Sequence, residues 1–477
     1  MLSELDATAQ ADLVRRGEAS PRELVDAAIA RIERHNADLG AVIVPLYDSA
    51  RAAADHAPDG PFRGVPIVIK DLCATVGGAP YAGGLLPLKR AKVIAPDDSH
   101  LVATLRRAGF IIVGKTNTSE LGILPAAEPR AWPPSRNPYD LARSPGGSSG
   151  GSAAATAAGL VPIAHANDGG GSIRIPASCC GLFGLKPTRG RISFGPTLGD
   201  VNGGLVNEHV VARSVRDSAA VLDLLAGYQP GDPYTAPPQV RPYADELARP
   251  PGPLRIAFMT KHLRPEGDRV ESHPDCCAAV EHAAKLLASM GHHVEEAEPD
   301  AMQDPEWTPR FLSLWVVGVT MEIAEASQIL GRPIEEHEVE PLTWALGELG
   351  KLIAGPAYVA AWRWLHRATR RIAKFWERYD LWLTPTITSP PVPIGSFVST
   401  ADDPLGAIFR AGELAPFTAP FNGTGQPACS VPLFQNAAGL PIGIQLVAAH
   451  GREDLLFQVA AQLEQAQPFV HGATRPD

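Results

Sequence analysis

The chain has 477 residues, 45% apolar and 20% charged, enough for a sizeable core and, by length alone, about three average domains. Lys and Arg number 42 against 52 Asp and Glu, a formal charge of −10 that speaks against nucleic acid or an acidic membrane surface as a partner. No apolar run approaches the roughly 20 residues of a spanning helix. The six cysteines, Cys73, Cys179, Cys180, Cys276, Cys277 and Cys429, form no CxxC, and no H-E-x-x-H or Cys/His cluster suggests zinc. The start, Met1 to Asp6, lacks a basic, apolar secretion signal, so the expected setting is the reduced cytoplasm.

In chain order, Ser20-Pro21-Arg22-Glu23 predicts a helix start with a hydroxyl cap, Pro at the first position and Glu three residues after the Ser. Leu24, Val25, Ala28, Ile29 and Ile32 continue it at helical spacing. Short apolar runs at 41–44, 65–69 and 110–113 read as buried strands, with a helix over 101–107. The small residues 152–158 predict a helix, followed by a strand at 161–164 and a capped helix after Ser214. The proline-rich stretch 229–253 reads as a surface connector. A strand at 254–259, a helix at 276–287 and a Trp-rich helical region over 300–376, expected to determine the substrate, follow. Strands at 381–383, 428–431 and 442–447 and a helix at 455–463 complete the chain. Repeated strand–helix alternation predicts an α/β fold. The motifs below favour one large domain over 1–477, with a catalytic core segment over 55–215.

Three motifs tempt. Gly109-Phe110-Ile111-Ile112-Val113-Gly114-Lys115-Thr116 fits the phosphate-loop pattern, but its middle is a β-forming run rather than a flexible loop. Gly423-x-Gly425-x-x-Ala428 touches the dinucleotide fingerprint, yet Pro427 and the missing strand before it read as a turn. Gly146-Gly147-Ser148-Ser149-Gly150 matches the α/β-hydrolase elbow. That reading makes Ser148 a nucleophile with one of His209, His273, His292, His293 or His450 as its base.

Three further segments belong together. Gly64–Asp71 puts Lys70 at the end of a buried strand. Ser144–Ser152 carries Ser148, and Asn167–Pro176 carries Ser172, 24 residues on, with one helix and one strand between. Amide cleavage by a serine needs a base, an oxyanion site and a proton for the departing nitrogen. Gly169, Gly170 and Gly171 let several N–H groups turn to one point, as an oxyanion hole requires. Lys70 serves as the base if burial lowers its pKa by several units from about 10.4. Alone, Lys70 reads as a solvated strand end and Ser172 as a cap or turn.

Together these segments resemble the amidase signature family, whose Ser–cis-Ser–Lys triad hydrolyses amides. The resemblance extends to Gly184–Gly190, Asp380–Thr386 and Asn422–Pro427. It implies a three-layer α/β/α domain with a mixed, mostly parallel central sheet covered by helices. It implies Ser172 as nucleophile, Ser148 as the bridging cis-Ser and Lys70 as base, with oxyanion donors on Gly169, Gly170, Gly171 and Ser172. Ser148 then relays a proton and does not attack. Asp168 and Arg174 flank the nucleophile, either as orienting groups or as a surface salt bridge. No cofactor or metal is needed, and a homodimer is common in the family.

Two departures stand out: Ala166-Asn167 where many members have Gly-Ser or Gly-Thr, and no Gly-Pro within Glu208–Arg213. Both weigh against a glutamyl-tRNA amidotransferase subunit and bring the chain near the 6-aminohexanoate-cyclic-dimer hydrolase subgroup. The expected substrate is a small, largely uncharged linear or cyclic amide. An esterase and a catalytically silent binding protein remain alternatives. Trp132 and Trp315 are candidate pocket walls, with core packing the competing reading for Trp315. Cys179 and Cys180 lie near Ser172 in sequence and read as packing residues.

Overall fold

The structure is a computed structural model and describes residues 2–263 and 269–473. The strands in chain order are β1 (Val42–Pro45), β2 (Pro66–Lys70), β3 (Ile111–Thr116), β4 (Ile163–Asp168), β5 (Phe183–Lys186), β6 (Asn207–Ala212) and β7 (Arg255–Phe258). They continue with β8 (Lys261–Leu263), β9 (Arg269–Glu271), β10 (His293–Glu296), β11 (Leu381–Pro385), β12 (Ala428–Gln435) and β13 (Pro441–Ala448). Strands β8 and β9 pair only with each other. The other eleven form one sheet in the order β1-β3-β2-β4-β6-β5-β12-β13-β11-β7-β10.

This is an α/β architecture with a mixed sheet covered by helices. The parallel ladders form two blocks, β3-β2-β4 and β11-β7-β10. Antiparallel ladders fill the stretch between the blocks and attach β1 at one edge. Strand–helix alternation predicts the parallel blocks but not β6, which inserts antiparallel between β4 and β5. Nor does it predict the β12–β13 hairpin, whose short turn at 436–440 fixes the antiparallel direction.

Alternation along each strand divides the core between the two faces. Ile67, Ile69, Val210 and Ala212 pack with the helices Val215–Leu225, Pro274–Ser289 and Glu453–Ala466. Val68, Val211, Ile111 and Val113 pack on the opposite side with Pro21–Leu39, Gly150–Ala157 and Trp307–Leu330. The Ser20–Glu23 capping box is formed, and Ser99 and Ser214 cap their helices as the sequence predicts for Ser214. The helix Gly150–Ala157 is made of small residues because it lies directly on backbone. A Cβ at Gly151 would sit 2.5 Å from Asn117 N and 2.7 Å from Ala41 O.

The stretch 229–253 carries one short helix, Tyr243–Glu246. It is tied down by the Tyr243 and Ala244 N–H groups, which donate to Asp223 at 2.7 and 2.9 Å. The region 300–376 is helical, with Trp307–Leu330, Pro341–Lys351 and Gly355–Ala373 as its main helices. Among the described residues no helix is long and apolar enough to cross a membrane.

Candidate active site

Because β2 and β4 run parallel, their carboxyl ends open at the same sheet edge, where α/β folds place ligands. Lys70 ends β2, Asp168 ends β4, and Ser148 and Ser149 lie just before the helix Gly150–Ala157. Lys70 is wholly buried. Its Nζ lies 2.7 Å from Ser148 Oγ and also donates to Asn167 Oδ1. Burial pushes the Lys70 amine down from 10.5 to about 7, against the opposing pull of Cys73, Glu208 and Asp168. The Gly147–Ser148 peptide is cis.

Asn167 occupies the position where the family usually has Ser or Thr. Its Nδ2 donates to Leu72 O at 3.0 Å, which leaves Oδ1 turned to the lysine. The departure noted in the sequence therefore supplies an amide oxygen to the same amine.

Ser172 lines a cavity of about 270 Å3 whose walls include Gly122, Ile123, Ile175, Phe311 and Trp315. Its hydroxyl takes no hydrogen bond from a described residue, and Ser148 packs beside Gly122 of the same cavity wall. A Cβ on Gly122 would meet Ser148 Oγ at 3.2 Å. Trp315 stacks on Phe311 at 5.6 Å between centroids and leans over Gly169, where an added Cβ would lie 3.0 Å from the indole. Trp132 lies apart from this wall, under Lys89 Nζ at 3.5 Å.

Asp168 and Arg174 form a buried ion pair, both 0% exposed, so the surface salt bridge is excluded. Arg174 holds both carboxylate oxygens, from Nε and Nη2 at 2.9 Å each. The same carboxylate accepts the N–H of Gly171 at 2.8 Å and of Ile173 at 3.2 Å. Burial alone would raise the Asp168 carboxyl, but the Arg174 guanidinium overcomes it and brings the group to about 2. Arg174 also reaches Gln445 Oε1 at 2.8 Å and Asn422 Oδ1 at 2.7 Å, which ties in the Asn422–Pro427 motif. The Gly171 N–H is thus engaged by Asp168, while Gly170 and Ser172 on either side of it line the cavity.

The competing motifs resolve as well. Ser148 is bonded to Lys70 rather than to an imidazole. Lys115 of the phosphate-loop pattern lies buried in β3, paired with Asp71 and donating to Pro80 O at 2.9 Å. Burial raises the thiols of Cys179, to about 12, and Cys180, consistent with packing. Among the described residues no group of three or more His, Cys, Asp or Glu side chains is arranged to hold a metal ion. His165 and Glu208, which no sequence motif singles out, meet behind Lys70.

A buried lysine hydrogen-bonded to one serine thus ends β2, beside the strand β4 that leads into the glycine loop carrying a second serine. The family model for Amidase matches residues 23–457, and the chain belongs to the amidase signature family. It is an amidase acting on carbon–nitrogen bonds. It is 43% identical to a 6-aminohexanoate-cyclic-dimer hydrolase of Pseudomonas sp. (strain NK87), over 99% of this chain and 96% of that one. To the protein of that name from Paenarthrobacter ureafaciens it is 44% identical, with the same shares covered. A solved structure of 6-aminohexanoate cyclic dimer hydrolase superimposes with a TM-score of 0.95 at 43% identity, covering 100% of this chain and 99% of that one.

Proposed function

We propose that the protein hydrolyses a small, largely uncharged amide through an acyl-enzyme on Ser172, with a cyclic or linear 6-aminohexanoate amide as its substrate. The observation that carries the mechanism is the 2.7 Å contact between Ser148 Oγ and a wholly buried Lys70 held near 7. At neutral pH about half of such an amine is free to accept a proton. Neutral Lys70 takes the Ser148 proton, Ser148 takes that of Ser172, and Ser172 Oγ attacks the carbonyl carbon. The link between the two serines closes as the substrate settles against them.

The tetrahedral oxyanion is met by the N–H groups of Gly169, Gly170 and Ser172. Gly171 serves differently: its N–H, held by Asp168, fixes the curve of the loop. Each oxyanion donor is worth about 3–4 kcal/mol in the transition state. The proton returns from Lys70 through Ser148 to the leaving amine, and water releases the acyl group. The apolar walls from Phe311 and Trp315 suit the methylene chain of such an amide, and the substrate class follows that of the 43–44% identical relatives.

The test is primary-amine release from a simple aliphatic amide, a linear 6-aminohexanoate oligomer and its cyclic dimer. Wild-type protein should release amine from one or both of the last two, and Ser172→Ala should not. Equal release by both proteins would sink the nucleophile assignment.

A further inference from the structure

The ladder between β2 and β4 pairs Ile67 with Ile163 and Val68 with Ala164, and then stops. Two residues further along, the Lys70 N–H finds no carbonyl on β4. It donates instead to the ring of His165, at 3.2 Å from Nδ1. The other ring nitrogen, Nε2, meets the Glu208 carboxylate of β6 at 2.5 Å. Both side chains are buried, His165 at 0% and Glu208 at 2% exposure. A main-chain N–H can only donate, so Nδ1 must carry a lone pair, and the ring proton sits on Nε2, where Glu208 accepts it. The imidazole thus takes the place of a missing ladder bond at the residue whose side chain reaches Ser148.

We infer that His165 and Glu208 are positioning residues for the reaction: Glu208 fixes the imidazole tautomer, His165 anchors the main chain of Lys70, and the Glu208 charge acts on the lysine amine. This rests on the reading of Lys70 as the base. Register supports the geometry: Glu208 pairs with Asn167, the other residue that holds the amine, and lies diagonally across from His165. Other charged or titratable groups also face Lys70. Asp168 comes from β4 and Cys73 from the turn after β2, with Glu322 of the helix Trp307–Leu330 beyond that cysteine. On β3, Thr116 pairs with Lys70, while Lys115 pairs with Ile69 and is held by Asp71. Among these, Glu208 combines an effect on the amine with a hydrogen-bonded path to the lysine main chain.

A carboxylate favours the ammonium form, so removing its charge should let the amine lose its proton at lower pH. The probe is a small alkyl fluorophosphonate, with the rate of Ser172 labelling followed by mass spectrometry from pH 5 to 10. Glu208→Gln keeps an acceptor for Nε2–H but drops the charge, and its acid-side midpoint should fall by roughly one pH unit. The double variant His165→Leu/Glu208→Leu removes both polar groups together and leaves no buried charge unpaired. With the anchor gone, its plateau rate should drop at least about ten-fold. Profiles that coincide with wild type in midpoint and plateau, even with a lower melting temperature, would show a merely structural pair and overturn the inference. Lys70→Ala separates the two levels: wild-type labelling there, or no labelling of Ser172 in the wild type, overturns the mechanism and this inference with it.

Discussion

Lys70→Met tests the central physical claim, that the fold keeps a lysine neutral by burying it. The amine drops from 10.5 to about 7 on folding, chiefly through burial. Between these values the unfolded chain holds a proton that the native state does not, so wild-type stability rises with pH across that window. At pH 7 the penalty amounts to roughly 4 kcal/mol, and by pH 9.5 it has shrunk to roughly 1 kcal/mol. Methionine fills nearly the same volume and carries no charge. It abandons the contacts to Ser148 and Asn167, a loss of about 1–2 kcal/mol each that does not depend on pH. The variant should therefore be inactive yet close to or above wild type in stability at pH 7. It should lose roughly 3 kcal/mol relative to wild type between pH 7 and 9.5. Paired denaturant melts at the two pH values measure this. A stability gap that does not change with pH would refute the neutral, burial-shifted lysine, and with it the proposed base.

Other expectations follow from the same contacts. Asp168→Asn leaves the Arg174 guanidinium buried without its counter-charge and should destabilise by about 3–5 kcal/mol, read from the denaturant midpoint. Its activity should fall further than stability alone explains, because the Gly171 N–H loses the carboxylate that shapes the loop. Trp315→Ala removes the ring leaning over Gly169 and should open the cavity beside Ser172. Its KM for short amides should rise, and the relative kcat/KM for bulkier acyl groups should increase, in a competition assay with amides of graded size; unchanged relative specificity would place Trp315 in packing alone.

The parts of the site that were legible in the sequence are those whose chemistry is local. Ser148 and Ser172 sit in Gly/Ser segments with few competing uses, and Lys70 follows an apolar run that ends at the buried sheet edge. The helix starts at Ser20 and Ser214 were legible for the same reason, since a cap and its partner lie three residues apart. Burial of the Asp168–Arg174 pair was not, because the groups that satisfy it come from Asn422 and Gln445, far along the chain. The same limit applies to β5 and β6. Glycine and polar residues interrupt the apolar pattern within them, and both are buried because of their neighbours on either side.

His165 and Glu208 show why this limit matters for function. Each is an ordinary polar residue in a short segment, and 43 positions separate them. Their meaning arises only when β6 is threaded antiparallel beside β4, which places Glu208 opposite Asn167 and within reach of the imidazole. The segment that lacks Gly-Pro, Glu208–Arg213, and the unusual Ala166-Asn167 are then linked: Ala166 and Asn167 pair with His209 and Glu208 on the strand pair behind Lys70. A sequence change that reads as two separate departures from the family pattern is, in space, one altered environment around the lysine.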